Sequence, residues 1–270
     1  VMYWDANKLL KSLLIVVFLS FLSTSLFAKN ISILVIGQSI SSNCNQYKYP
    51  AIQGIYQYDF EGNRVKAYDP FIWADCSSGS MWMPLGRIIL NNKLADEVTF
   101  MPIGVGATTV NDWLPNGRAY PKLQKAMSVI KSKQIKFDYI FWHQGSSDIG
   151  TPSSIYQKRF NSFASQVIKL GDLRSSKWII ARHSKCFGQV DEKLWKAQTD
   201  IARMDDHIRF FIGPDTNSLG DEYRFDTCHL NQQGQEKMAT LWLESLKNAK
   251  KNENAFRKET MLNIFSKINF

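Results

Sequence analysis

The feature that most restricts the fold of this 270-residue chain is an alternation of short apolar runs with segments of helical period. The runs are Ile31–Ile36, Val98–Ile103, Tyr139–Trp142, Trp178–Ala181 and Ile208–Ile212. Each is short, rich in β-branched or aromatic residues, and apolar enough to be covered on both faces, which reads as a buried strand. Between and after them, Trp82–Leu94, Tyr120–Ile130, Ile155–Leu170, Glu192–Met204 and Gln233–Leu246 carry helical spacing. Strand alternating with helix, with strands covered on both sides, predicts an α/β fold. The expectation is a three-layer α/β/α sandwich around a five-stranded parallel sheet. A chain of this length buries one sizeable core, so one domain is expected.

Ser41–Met81 breaks the alternation, being rich in Gly, Asn, Tyr, Asp and Ser. It reads as a long excursion at the mouth of the sheet, where insertions shape binding sites. Its aromatic residues Tyr47, Tyr49, Tyr56, Tyr58 and Trp73, with Trp82 just after it, are candidate faces for sugar rings. Packing of the loop onto the body explains them equally well.

Ligands of an open parallel sheet bind beyond the carboxyl ends of its strands. The residues there are Gly37-Gln38-Ser39, Gly104–Thr109, His143–Asp148, Arg182-His183-Ser184 and a last loop holding Asp226-Thr227-Cys228-His229. A nucleophilic serine needs a base, an acid that holds the base's tautomer, and donors aimed at the developing oxyanion. This rim supplies all of them: Ser39 as nucleophile, His229 as base, Asp226 as orienting acid. The oxyanion donors are the amides of Ser39 and Gly106 and the side chain of Gln144. Gln38, Trp82, Trp113, Arg182 and His183 are candidate substrate-binding residues. His183, at a strand end, is the rival base, but no acid lies three residues before it. His207 reads as a surface or capping residue, His143 as packing beneath the site, and Asp148 as a brace of its loop.

These blocks resemble the SGNH hydrolases, specifically the sialate O-acetylesterase-like and acetylxylan-esterase-like branch. The residues that carry the likeness are Gly37-Gln38-Ser39, Gly106-Ala107-Thr108 followed by Trp113, Trp142–Asp148, and Asp226–Leu230, in the same order. The Gln144-Gly145 pair stands where other members carry Asn. The likeness spans roughly residues 31 to 246 and implies a flavodoxin-like SGNH fold, hydrolysis of acetyl esters on carbohydrate, no metal, no cofactor, and the triad above. Ile40 stands where this branch often has Asn, and Ser146 where it often has Glu, so substrate contacts are expected to differ.

The first 28 residues read as an export segment: Lys8 and Lys11, an apolar run over Leu13–Leu19, and a small residue at Ala28. An uncleaved anchor is the alternative. Residues 29–248 then form the hydrolase domain and 249–270 a basic tail. Four cysteines in an exported chain favour disulfides over free thiols. Three pairings are open, and Cys44–Cys76 with Cys186–Cys228 is favoured because each would brace loops on the same face. The cysteines lack the close spacing of a zinc knuckle. The formal net charge is +9, with Lys247, Lys250, Lys251, Arg257, Lys258 and Lys267 near the end. That balance suits an anionic glycan or membrane surface, or simply a solvated face; no nucleic-acid motif is present. The expected partner is an O-acylated carbohydrate. A carbohydrate O-acyltransferase with the same triad and an inactive glycan-binding module are the competing functions.

Overall fold

The structure, a computed structural model, describes residues 29–204 and 210–268, by backbone alone from residue 253. The expected export segment, His207 and the start of the fifth apolar run (Ile208, Arg209) lie outside the described residues.

Along β1 (Asn30–Gly37) every second side chain faces the same way. Ile31, Ile33 and Val35 join one buried cluster, while Leu34 and Ile36 join the other. The strand is thus apolar throughout because both of its faces are covered. β4 (Glu97–Pro102) and β5 (Tyr139–His143) flank it in parallel, with Ile33 opposite Phe100 on one side and Tyr139 on the other. β6 (Lys177–Arg182) and β7 (Phe210–Asp215) continue the sheet beyond β5.

Beyond β4 the sheet gains two strands that the sequence reading did not expect. β2 (Ile55–Tyr58) pairs in parallel with β4, and β3 (Arg64–Lys66) pairs antiparallel with β2. Both come from the Ser41–Met81 excursion, so among the described residues the sheet has seven strands in the order β3-β2-β4-β1-β5-β6-β7. An edge strand of three residues with exposed Arg64 and Lys66 is a common way to end a sheet, because charge there discourages pairing with another chain.

Helices cover both faces. α1 (Trp82–Asn91) and α5 (Gln232–Ile268) pack on Ile33, Val35, Phe100 and Phe141. The Phe141 and Trp242 rings stack there at 4.2 Å and 9°. α2 (Tyr120–Ser132), α3 (Ser153–Gly171) and α4 (Glu192–Ile201) cover Leu34, Met101, Trp142 and Ile180. Truncating a buried Trp or Phe of this kind costs about 3–5 kcal/mol. The last helix runs well past the expected end at Leu246. Its buried stripe continues through Ala249, and no Gly or Pro interrupts the sequence after Gly234.

Candidate active site

β1 lies between β4 and β5, so the connections leaving its neighbours diverge and open a crevice at its carboxyl end. The chain turns there at Gly37. A Cβ on that residue would lie 2.2 Å from the carbonyl oxygen of His143, so only glycine lets β1 and β5 approach this closely. The Gln38 N–H donates to that carbonyl at 3.2 Å, and a 3₁₀ turn, Ser39–Ser41, then lifts Ser39 to the rim.

The loop before α5 brings the other two groups. Asp226 Oδ1 accepts the backbone N–H of Cys228 at 3.0 Å and of His229 at 2.6 Å, the pattern of a short side chain capping its own turn. Thr227, between them, adopts a left-handed φ of 62°. Asp226 Oδ2 lies 2.6 Å from His229 Nδ1, and His229 Nε2 lies 2.8 Å from Ser39 Oγ. An ionised carboxylate only accepts, so Nδ1 carries the proton and Nε2 offers its lone pair to the serine hydroxyl. Burial pushes the Asp226 carboxyl up, but the hydrogen bonds from the His229 ring and from the two amides outweigh it and hold the group below the usual carboxylate range.

Ser39 and His229 line a cavity of about 480 Å³ together with Gln38, Gly106, Ala107, Ser146, Ser147, Ile149, Phe187, Gln189 and both disulfides. The disulfides join Cys44 to Cys76 and Cys186 to Cys228. The second one ties the Phe187 turn to the residue before His229.

The three expected oxyanion donors fare differently. The Ser39 amide makes no hydrogen bond with another described residue. The Gly106 amide donates to Asp75 Oδ2 at 3.1 Å, and Lys122 holds the other oxygen of that carboxylate at 2.7 Å. Gln144 is fully buried and both of its amide hydrogens are committed, to the Thr108 carbonyl at 2.9 Å and to Asp148 Oδ2 at 2.7 Å. It braces the loops behind the pocket and does not reach into it. Asp148 is the hub of that bracing, accepting also from the Val110 amide at 2.7 Å.

Of the expected substrate-binding residues, Gln38 lines the cavity, its amide oxygen taking the Gly145 N–H at 2.8 Å and its NH₂ donating to Ser146 Oγ at 2.6 Å. The others stand elsewhere. Trp82 and Trp113 are core residues: the first donates to the Ser41 carbonyl at 2.8 Å, the second to Thr108 Oγ1 at 3.2 Å. Their polar tips find buried acceptors, and their rings never face solvent. Arg182 lies over the Trp195 ring at 4.9 Å and borders a different cavity, between β7 and α5. His183 is fully buried edge-on to His143, their centroids 5.3 Å apart, and neither of its ring nitrogens finds a partner. Ile40 is buried as well, while Ser146 is a wall residue. Tyr49 and Trp73 pack the excursion against the body, and none of its aromatic residues lines the cavity.

Residues the sequence reading missed are Asp75, Lys122, Phe187, Arg224 and Phe225. Buried Arg224 donates to the carbonyls of Cys228 and, at 3.0 Å, Thr216, fixing the His229 loop from below. Phe225 lies roughly face-on to the His229 ring, its centroid 6.1 Å away and its plane tilted by 29°. The one sequence signal was an aromatic residue next to Asp226. Among the described residues, no group of three or more His, Cys, Asp or Glu is placed to hold a metal ion.

No curated protein matches this sequence. In structure it is similar to a protein from Arabidopsis thaliana, with a TM-score of 0.64 and 17% identity over 82% of this chain and 99% of that one. It is similar to NanS, with a TM-score of 0.58 and 12% identity over 83% and 98%. A family 3 carbohydrate esterase from Clostridium thermocellum gives a TM-score of 0.51 and 12% identity over 82% and 96%. At such identities the likeness is one of fold. The family model described as carbohydrate esterase, sialic acid-specific acetylesterase matches residues 47–248, a span that contains Asp226 and His229 and begins after Ser39. That match covers well over half of the chain, which therefore belongs to this carbohydrate esterase family, a family of carboxylic ester hydrolases.

Proposed function

We propose that this protein removes acetyl or a similarly small acyl group from O-acylated carbohydrate through a Ser39 acyl-enzyme. The observation that carries the reading is the continuous chain of hydrogen bonds Asp226–His229–Ser39 at the wall of a cavity. His229 Nε2 takes the hydroxyl proton as Ser39 Oγ bonds to the ester carbonyl carbon. The tetrahedral intermediate then expels the sugar alkoxide, which leaves with that same proton. Water attacks the acyl-enzyme by the same route, releasing the carboxylic acid and restoring Ser39. Asp226 stabilises the imidazolium formed in both halves.

Charge on the carbonyl oxygen meets the Ser39 amide first. The Gly106 amide becomes available when that oxygen replaces the Asp75 carboxylate as its acceptor, one anion exchanged for another. Gln144 supports the loop that shapes this wall.

The two disulfides favour passage through an oxidising compartment, in keeping with export by the first 28 residues and a catalytic domain over 29–248. Among the described residues no helix is long and apolar enough to cross a membrane. The lysines near the end of the chain suit attraction to an anionic glycan or membrane surface.

Turnover of 4-nitrophenyl acetate by the wild type, beside Ser39→Ala and His229→Ala, tests the reading. Both variants should lose at least about 10³-fold in kcat with unchanged melting temperature. A folded Ser39→Ala variant as active as the wild type would remove the proposal.

A further inference from the structure

The two ends of the sheet differ in charge. At the amino end, the connection into β4 holds Lys93, while the end of α2 and the connection into β5 hold Lys131, Lys133 and Lys136. The end of α3 and the connection into β6 add Lys169, Arg174 and Lys177. Bonds across this end join the connections into one surface. The Lys29 N–H donates to Asp96 Oδ2 at 2.8 Å, Ser32 Oγ to the Lys136 carbonyl at 3.0 Å, and the Lys177 N–H to the Asp138 carbonyl at 3.0 Å. α5 reaches the same end, where Lys247 Nζ donates to Asn92 Oδ1 at 2.8 Å and Lys251 is exposed.

The carboxylates here are fewer and committed: Asp138 accepts the Ser32 N–H at 2.8 Å, Asp172 pairs with Lys136 at 3.4 Å, and Glu97 pairs with Arg64 at 2.7 Å. Among the described residues no carboxylate pairs with exposed Lys93, Lys131, Lys133, Lys169 or Arg174. At the catalytic end the cations are matched, Lys122 with Asp75 at 2.7 Å, Lys185 with Asp221 at 3.0 Å and Arg118 with Asp112 at 3.7 Å. The excess of cations thus gathers at the end away from Ser39, and a one-sided field of this kind draws a body to an anionic surface and orients it there.

Two further observations favour lipid over an anionic glycan. The chain enters β1 at this end through Lys29, and the apolar run Leu13–Leu19 stands shortly before it in sequence. α5 continues from Ala249 for roughly five more turns to Ile268. In that extension Met261, Ile264, Phe265 and Ile268 recur at helical spacing, with Arg257, Lys258 and Lys267 among them. An apolar row flanked by cations suits the boundary between headgroups and acyl chains, whereas an anionic polysaccharide would engage only the cations.

We infer that the amino end of the sheet rests on an anionic membrane surface, with the Ser39 pocket turned to the opposite side. Flotation of the full chain with vesicles of phosphatidylcholine alone, or with about one-third phosphatidylglycerol, tests it. Binding to the anionic vesicles should be at least about thirtyfold tighter at low salt, and the preference should vanish in about 1 M salt. Replacing Lys131, Lys133, Lys169 and Arg174 together by Gln should cut the preference at least about tenfold. Lys48, Lys158, Lys193 and Lys196 stand toward the catalytic end. Replacing those four by Gln makes the same change in charge and should keep the preference within about threefold. Turnover of 4-nitrophenyl acetate should agree within about twofold among the three proteins, and between free and vesicle-bound wild type, because the pocket faces away. Equal losses from the two sets of substitutions overturn the inference. So does a wild type without preference for anionic vesicles, including one that binds a soluble anionic polysaccharide instead, and so does vesicle binding that blocks turnover.

Discussion

Asp226 holds His229 by two separate bonds: Oδ2 meets the ring Nδ1 at 2.6 Å, and Oδ1 takes the backbone N–H of the same residue at 2.6 Å. The carboxylate therefore fixes the loop and the tautomer at once. Asp226→Asn keeps an acceptor for the backbone amide but can present NH₂ to Nδ1, which turns Nε2 from acceptor into donor. The expected loss in kcat is about 10³- to 10⁴-fold, with KM for 4-nitrophenyl acetate little changed. A loss below tenfold would mean that this carboxylate does not set the tautomer.

Asp75 competes for the amide that the transition state is proposed to use. The Asp75 loop has other anchors, including the bonds from the Asn43 amide to the Asp75 carbonyl at 3.0 Å and from the Asp75 amide to the Gly104 carbonyl at 3.1 Å, and the neighbouring disulfide. Asp75→Ala should thus leave the loop in place, free the Gly106 N–H and raise kcat about three- to tenfold, the effect of relieving roughly 1 kcal/mol of hydrogen bonding. A fall in kcat at unchanged melting temperature would show instead that the carboxylate presents Gly106.

Gln144 separates bracing from catalysis. Gln144→Leu removes two donors from a buried network and leaves the Thr108 carbonyl and Asp148 short of a partner, so a loss of about 1–3 kcal/mol in stability is expected by denaturant unfolding. The kcat of the folded variant should stay within about tenfold. Unchanged stability with a loss on the order of a hundredfold would restore Gln144 as an oxyanion donor.

The buried pair His143 and His183 makes stability pH-dependent. Burial, and then Arg224, pulls the His143 imidazole down to about 3. Burial, then the charges of His143, Arg224 and His229, holds His183 well below its ordinary value of 6.5. As pH falls below that value the unfolded chain binds protons that the folded chain refuses, so stability declines. Each such histidine contributes about 1.4 kcal/mol per pH unit. Burial raises Asp69 to about 6 and lifts Asp148 above the usual carboxylate value, so these two groups oppose the decline below pH 6 without reversing it. The melting temperature should therefore be lower at pH 5 than at pH 7, and His183→Leu should make the fall shallower. An equal slope in the variant would show that His183 is not kept neutral.

The inner strands β1, β4, β5 and β6 were legible because burial on both faces leaves continuous apolar runs, as in Ile31–Ile36, whereas β7 stands at the edge of the sheet with Ile212 exposed. β2 and β3 were not: four and three residues long, half-exposed, they have no run to read. Asp226 and His229 could be read because they share one turn, and Ser39 because a glycine after a buried strand marks a sharp exit. Side-chain direction was beyond the sequence. Trp82 and Trp113 follow the right blocks yet point into the core, and Gln144, in a matching block, turns its amide toward Asp148. Asp75 and Phe187 are single residues in irregular loops, and only the tertiary contacts give them meaning.

The most direct test of the central claim is the mass of the protein after reaction with a fluorophosphonate, which reports the activated nucleophile by covalent capture. The expected result is one adduct per chain, on the peptide that contains Ser39, with labelling slowed by at least about 10³-fold in His229→Ala. An adduct on a different residue, or turnover of 4-nitrophenyl acetate by a chain that is never labelled at Ser39, would contradict the assignment.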